Sequence, residues 1–307
     1  MTAGVRAIRR IVSEDKLVPS WTLNRLGAQV VRTVAARALY NIRRVAGADM
    51  VARELAELQR DGIIVIQDFL RPEHFDLVRR ESAWLETQRA HATRTMSGST
   101  CVETTAVGTY SQTDLAATCR FFDDPRMRAL VSAAERRPFG PLALSGEHER
   151  VVQGPAGGEP DPETELHSDI FFSTHKAWLY LDDVQPADGP LVYVKGSHRV
   201  TPARLGFIYR DSWMRDPSSN PSRRIAAEEQ AAFRVQETIV TCAANTLVLI
   251  NACGYHRRLS GEPGRTRRAL HLSVRANPFM PYGLHSRIAG HPALYRFLRR
   301  TIAGRRR

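Results

Sequence analysis

The chain has 307 residues, of which 43% are hydrophobic and 25% charged, and its formal net charge is +12. That length and balance suit one folded domain with an extension, and no apolar run approaches the ~18 residues that a membrane span requires. Four cysteines (Cys101, Cys119, Cys242 and Cys253) show no CxxC spacing, which argues for free thiols in a reducing compartment over a disulfide framework or zinc site.

Residues 1–50 carry nine basic and three acidic side chains. Between Thr22 and Val45 the apolar residues Leu23, Leu26, Val30, Val31, Val34, Ala38, Ile42 and Val45 recur at helical spacing, with Arg25, Arg32, Arg43 and Arg44 largely off the stripe. Three uses of this basic extension compete: packing on the core with a solvated basic face, docking on an anionic membrane surface, or binding nucleic acid. Aromatics do not interleave with the arginines, which argues against nucleic acid. No secretory apolar segment stands at the start, and Glu14 and Asp15 argue against a transit peptide, so a cytoplasmic placement is expected, with peripheral membrane contact as the second reading.

Helices are predicted at 51–60, 72–89 and 125–136, with a strand at 62–67. Strands follow near 148–153, 166–172, 176–183, 190–194, 237–242, 246–250 and 267–275. This run suits an α+β chain with a double-stranded β-helix (jelly-roll) core, flanking helices and an N-terminal helical extension. Residues 154–164 read as a flexible loop. Residues 202–234, with Trp213, read either as a lid over a site or as a surface loop. Residues 291–307 form a basic tail in which Leu294, Phe297, Leu298 and Ile302 repeat the amphipathic pattern. The division expected is therefore 1–50, 51–290 and 291–307.

Two His-x-Asp triplets occur, where composition alone gives about one chance match of His-x-acid. His74-Phe75-Asp76 lies in a charged, helix-like stretch after Pro72. On a helix, residues two apart point about 200° from each other and cannot share an ion. His167-Ser168-Asp169 precedes β-forming residues. On an extended segment residues two apart face the same way, about 6.6 Å apart at Cα, so both can converge on one metal. A third ligand must return from another strand. His256, following the strand-like stretch Ile239–Ile250, is the natural choice, and His198 and His271 compete. His198 closes a turn after Gly196, and His271 also reads as a satisfied core histidine. Two imidazoles and one carboxylate on one face are the ligand set of non-haem iron(II) oxygenases.

The order of these segments resembles the phytanoyl-CoA dioxygenase family of iron(II)- and 2-oxoglutarate-dependent oxygenases. DGIIVIQDFLRPEHFDLVRR (61–80) resembles the family's opening. LHSDIFFSTHKAWLYLDDVQPADGPLVYVKGSHR (166–199) carries the metal pair, a Trp-bearing strand and a terminal Gly-Ser-His. NTLVLINACGYHRRLSGEPGRTRRALHLS (245–273) carries the distal His and a later Arg. The resemblance covers roughly residues 51 to 280. It implies Fe(2+) held by His167, Asp169 and His256, O2 as co-reactant, and Arg267, eleven residues after His256, gripping the distal carboxylate of 2-oxoglutarate, with Arg265 as fallback. A planar guanidinium offers a carboxylate two parallel donors, which Lys does not. Some members place a small hydroxyl residue two positions after the distal His. Here that position is Arg258, so the contact falls to another group, with Ser273 or Thr246 considered. Lys176 is a further contact to a cosubstrate or substrate anion. The resemblance implies hydroxylation of an unactivated carbon. Asp169 favours that over halogenation, because halogenating relatives lack the carboxylate. The expected substrate is a small or lipid-like, anionic molecule. The alternative is a catalytically idle barrel that binds a membrane or partner through its basic ends.

Overall fold

In the stretch His175–Tyr180, Trp178 and Tyr180 enter one apolar cluster while Ala177 and Leu179 enter another. That two-residue alternation of a half-turned pleat sorts the whole chain into an inner and an outer core. The computed structural model describes residues 15–43, 48–88, 92–139, 141–155, 157–215, 222–274 and 277–279.

Twelve strands are described: β1 (Ile63–Ile66), β2 (Thr93–Ser97), β3 (Thr100–Ala106), β4 (Gly146–Val152), β5 (His167–Ser168), β6 (His175–Tyr180), β7 (Leu191–Val194), β8 (Arg223–Arg224), β9 (Glu237–Ile239), β10 (Leu247–Asn251), β11 (His256–Arg258) and β12 (Thr266–Val274). Seven form a sheet in the order β1-β10-β6-β12-β4-β3-β2, and five form a second in the order β8-β5-β11-β7-β9. Every pairing is antiparallel. The sheets face each other across Trp178, Tyr180, Leu191, Tyr193, Val248 and Ile250, which is the predicted jelly roll.

The other face of the larger sheet is covered by helices α3 (Ala52–Asp61), α4 (Pro72–Thr87), α5 (Ala116–Phe122) and α6 (Pro125–Glu135), which share an apolar cluster with Leu179, Leu249 and Leu270. Leu179 is fully buried there, and its truncation to Ala costs about 2–5 kcal/mol. Gly62 ends α3 at φ 82°, and a Cβ there would collide with the Tyr193 hydroxyl, so glycine is required for both conformation and space. Buried Glu135 on α6 accepts from the His175 backbone N–H at 2.6 Å and its Nδ1 at 2.9 Å, which fixes β6 to the helical layer.

Before the core, α1 (Trp21–Arg25) and α2 (Ala28–Ile42) replace the single helix expected over 22–45, broken at Gly27 (φ 87°). They pack on α7 (Pro202–Met214). The packed face is not the expected one. Gln29, Arg32, Thr33, Ala36 and Tyr40 are buried, while Leu26, Val31, Val34 and Ile42 are 77, 65, 46 and 74% exposed. Hydrogen bonds account for the inversion. Tyr40 donates to the Ala134 carbonyl at 2.6 Å. The Arg32 guanidinium lies 3.8 Å from the Phe171 ring centroid and donates to the Asp15 carbonyl. Burial lowers the Arg32 pKa to about 10.

Helix and strand predictions hold to within a few residues, with three differences. The segment 166–172 is extended only at His167–Ser168. The hairpin β2–β3, helix α5 and strand β11 were not anticipated. Residues 202–234 hold α7, β8 and α8 (Ala227–Ala232) in place of an open loop. Residues 1–14 and the tail 291–307 lie outside the described residues.

Two buried histidines make the fold acid-sensitive. His148 bonds Ser82 Oγ through Nε2 at 2.7 Å, and His198 bonds the Gln59 carbonyl at 3.1 Å. Burial lowers the pKa of each to about 4. Their folded pKa values lie below the ~6.5 of an open chain, so their stability contribution is complete above about pH 6.5 and is lost as pH falls towards 4, by roughly 2–3 kcal/mol each. Urea unfolding at pH 7 and pH 4.5 should show this loss, and His148→Gln should flatten the slope. A profile equally steep in the variant would mean that His148 is not buried in its neutral form.

Candidate metal and cosubstrate site

The smaller sheet places two histidines directly opposite each other. His167 on β5 pairs with His256 on β11, with ring centroids 4.6 Å apart. Each ring is oriented by the carbonyl two residues earlier: His167 Nδ1 donates to Glu165 O at 2.8 Å, and His256 Nδ1 to Gly254 O at 3.0 Å. Both Nε2 lone pairs are thereby left for another partner. Ser168 turns the opposite way and donates to the Cys253 carbonyl at 2.9 Å. Asp169 follows, its backbone N–H held by Ala252 O at 3.1 Å. Its Oδ2 lies 3.6 Å from His256 Nε2, and its Oδ1 lies 3.8 Å from His167 Nε2. One donor atom from each of the three buried residues lies within 4.8 Å of the others, a spacing one divalent ion can bridge.

The electrostatics fit a cation. Burial alone would raise the Asp169 carboxyl, but the Lys176 ammonium at 2.6 Å and His256 hold it well below the usual carboxylate range. Asp169 Oδ2 makes no hydrogen bond of good geometry, and Lys176 stands beside it as its counter-charge. Glu163, which sequence reasoning missed, lies 3.2 Å from His167 Nε2. Its pKa is lowered to about 2, first by His167 and further by Arg224.

His167, His256, Glu163 and Lys176 line a cavity of about 220 Å³ between the sheets. Arg267 on β12 lines it, as expected. Arg267 donates to the Gly189 carbonyl, and its guanidinium carbon is 5.6 Å from the Tyr180 ring centroid. Tyr180, also missed, is 1% exposed, and its hydroxyl has no hydrogen-bond partner among the described residues. Burial raises its pKa to about 12.

The remaining sequence candidates separate clearly. Lys176 lines the cavity but is paired with Asp169. Ser273 stands opposite Lys176 on β12 and is not among the residues that line the cavity. Thr246 donates to Ala243 O at 2.7 Å within its own turn. Arg258 lines the cavity and is tied to Asp161 at 2.6 Å. Arg265 is 3.1 Å from Asp188 and half exposed, and Arg268 points outward to Asp182 and Glu86. His74 lies on α4 and bonds the Ala117 carbonyl at 2.8 Å, away from any metal. His198 is likewise engaged elsewhere. His271 is no satisfied core histidine, since it lines the cavity with neither ring nitrogen hydrogen-bonded.

A smaller space of about 40 Å³ flanks Asp169 on the other side, closed by Lys16, Leu17 and α7. Lys16 Nζ donates to Ser222 Oγ at 2.9 Å, and Ser222 reaches Asp169 Oδ1 at 3.5 Å. The N-terminal segment and the insertion therefore form one wall around the carboxylate.

A two-sheet barrel with a buried His-Asp-His set, and an arginine in the cavity that its two histidines line, defines an oxygenase of the iron(II) and 2-oxoglutarate kind. The chain belongs to the phytanoyl-CoA dioxygenase family, whose model matches residues 58–250. No curated protein matches the sequence. Among solved structures, the chain is similar to SnoN, a non-haem α-ketoglutarate-dependent epimerase from nogalamycin biosynthesis. The two share 17% identity over 73% of this chain and 82% of that one, with a TM-score of 0.50. HygX from Streptomyces hygroscopicus, solved with nickel and 2-oxoglutarate, shares 18% over 72% and 85%, with a TM-score of 0.46. EctD from S. alaskensis with bound Fe shares 14% over 79% and 85%, with a TM-score of 0.47. At these identities the likeness concerns the fold. Among the described residues, no helix is long and apolar enough to cross a membrane.

Replacing Asp169 or His256 with Ala should weaken iron(II) binding by more than ~100-fold, because outer-shell changes alone cost 10–100-fold. Anaerobic iron titration reads this directly. Undiminished affinity in His256→Ala would remove that residue from the ligand set.

Proposed function

We propose that the chain is an iron(II)- and 2-oxoglutarate-dependent dioxygenase that hydroxylates an unactivated carbon of a small molecule. The observation that carries this reading is the cavity lined by His167, His256 and Arg267, with Asp169 close enough to both histidines to share one metal ion with them. Bound iron with 2-oxoglutarate would supply the oxidising power drawn from O2, the cosubstrate leaving as succinate and CO2. The chain's own part is to bind and orient. His167 and His256 present fixed lone pairs, and Asp169 presents a carboxylate held ionised. Arg267 offers paired donors to the distal carboxylate of the cosubstrate, and the unpartnered Tyr180 hydroxyl supplies the contact that Arg258 does not. Lys176, once a metal ion balances Asp169, is free to meet the keto-acid end. An idle barrel has no use for this complete set.

Succinate should form with iron(II) and 2-oxoglutarate. Arg267→Lys should raise the KM for 2-oxoglutarate at least about tenfold, since Lys lacks the paired donors. Mass analysis of the product under ¹⁸O2 should show one oxygen gained. An unchanged mass or a loss of two hydrogens would replace hydroxylation with epimerisation or with ring or double-bond formation.

We also propose that α2 rests on an anionic membrane surface. Support comes from the exposed row Leu26, Val31, Val34 and Ile42 in a chain of net charge +12. The full chain should sediment with phosphatidylserine vesicles and not with neutral ones, and Val31→Glu should reduce this about tenfold. Unaltered sedimentation would exclude the stripe. A lowered melting temperature in Val31→Glu would instead mean that the chain's own residues cover it.

A further inference from the structure

The cavity wall beyond the metal cluster carries a charge pattern that the activity itself does not require. Across β6, β12 and β4 the inner face presents two adjacent rows, Tyr180–Ala269–Glu149 and Trp178–His271–Glu147, fixed by sheet register. Each cation on the wall is already engaged. Lys176 faces Asp169 at 2.6 Å and is assigned to the keto-acid end of the cosubstrate once metal is bound, Arg258 faces Asp161 at 2.6 Å, Arg257 bonds Glu237 at 2.9 Å, and Arg267 belongs to the proposed cosubstrate anchor. Glu163 is paired with His167 and Arg224. Glu149 differs: it lines the cavity without a hydrogen bond or ion pair among the described residues.

His271 gives an independent indication. It is 8% exposed, lines the same cavity, and has neither ring nitrogen hydrogen-bonded. The Glu147 carboxylate lies 3.5 Å from its Nδ1, and its ring stacks on Trp178 at 5.1 Å. A buried polar group without a partner costs free energy, so such a group aimed into a cavity is matched to something that enters it. A carboxylate free to accept, beside an imidazole free to donate or accept, calls for a cation next to a hydrogen-bonding group. A second anion there would meet the Glu149 carboxylate, which has no cation paired with it among the described residues. An acyl chain would desolvate the same groups without replacing their hydrogen bonds.

We infer that the substrate is a hydroxylated, amine-bearing small molecule whose ammonium is received by Glu149 and whose neighbouring hydroxyl is received by His271. The anion expected from the net charge is thereby replaced, because that charge is not what the cavity offers. The inference rests on the cavity being the iron and 2-oxoglutarate site proposed above.

The test uses the full chain, loaded anaerobically with iron(II) and 2-oxoglutarate. Loading is first followed by calorimetry, and failure at this step refutes the proposed function before any substrate question arises. The loaded protein is then titrated with glucosamine, N-acetylglucosamine, glucose and glucuronate, which hold one ring and vary its charge. Wild type should bind glucosamine at least tenfold more tightly than the other three. Glu149→Gln should remove that preference, and Glu149→Lys should turn it towards glucuronate. His271→Phe should weaken glucosamine at least threefold while leaving the order of the series intact. Tighter binding of glucuronate by wild type, equal or absent binding across the series, or a preference indifferent to Glu149→Lys overturns the assignment.

Discussion

The structure depends on one cross-strand pairing, that of His167 with His256. β5 is only two residues long, so little of its own ladder holds it in place. A slip of one residue would turn Ser168 into the site and His167 out of it, because side chains alternate with a period of two. The register is secured by side chains that never approach a metal. Ser168 and buried Arg204 both donate to the Cys253 carbonyl, and the Asp169 backbone donates to Ala252. The three candidate ligands are thus presented by backbone geometry fixed on the far side of the strand. That is the arrangement expected of a site that must leave coordination positions open.

Charge in this protein divides between surface and site. The net charge of +12 suggests an interior prepared for anions, yet the cavity contains tied cations and uncommitted acceptors. The distinction is physical. Net charge acts through solvent and is screened over about 10 Å, whereas a wall residue acts through contact in a low dielectric. Arg258 illustrates it. By sequence it is one more arginine near the distal His. In the fold its charge is spent on Asp161, which in turn caps the short turn at residues 162–164.

Much of the site was legible before the fold. The His-x-Asp spacing excluded His74 on helix geometry and retained His167, the strand-like stretch ending at Ile250 pointed to His256, and the family resemblance supplied Arg267, which lines the same cavity as the two histidines. For Ser273, strand alternation assigns a face but not a depth along it. It shares a face with His271 and a row with Lys176, but its short side chain is not among those that line the cavity. Tyr180 and Glu149 were missed although alternation on β6 and β4 could have found them. Tyr180 shares its inner face with Trp178, and Glu149 shares its face with Val151, which pairs with Arg267 across the strands. Glu163 could not be found this way, since it reaches His167 from a 3-10 turn whose path no periodicity encodes.

The N-terminal extension shows why a hydrophobic stripe alone does not determine which way a helix faces. Amphipathic spacing identifies the face that gains by leaving water, but the opposite face can dock first if its polar groups find partners of defined geometry. Here Arg32, Gln29 and Tyr40 find the Asp15, Val18 and Ala134 backbones together with the Phe171 ring. Phe171 lies two residues beyond Asp169, so the docked face is bound to the segment that carries the metal carboxylate. Lys16 completes the link through Ser222. An extension docked by its polar face can therefore close the wall around Asp169 while its apolar face stays outward, which packing by the stripe would not allow.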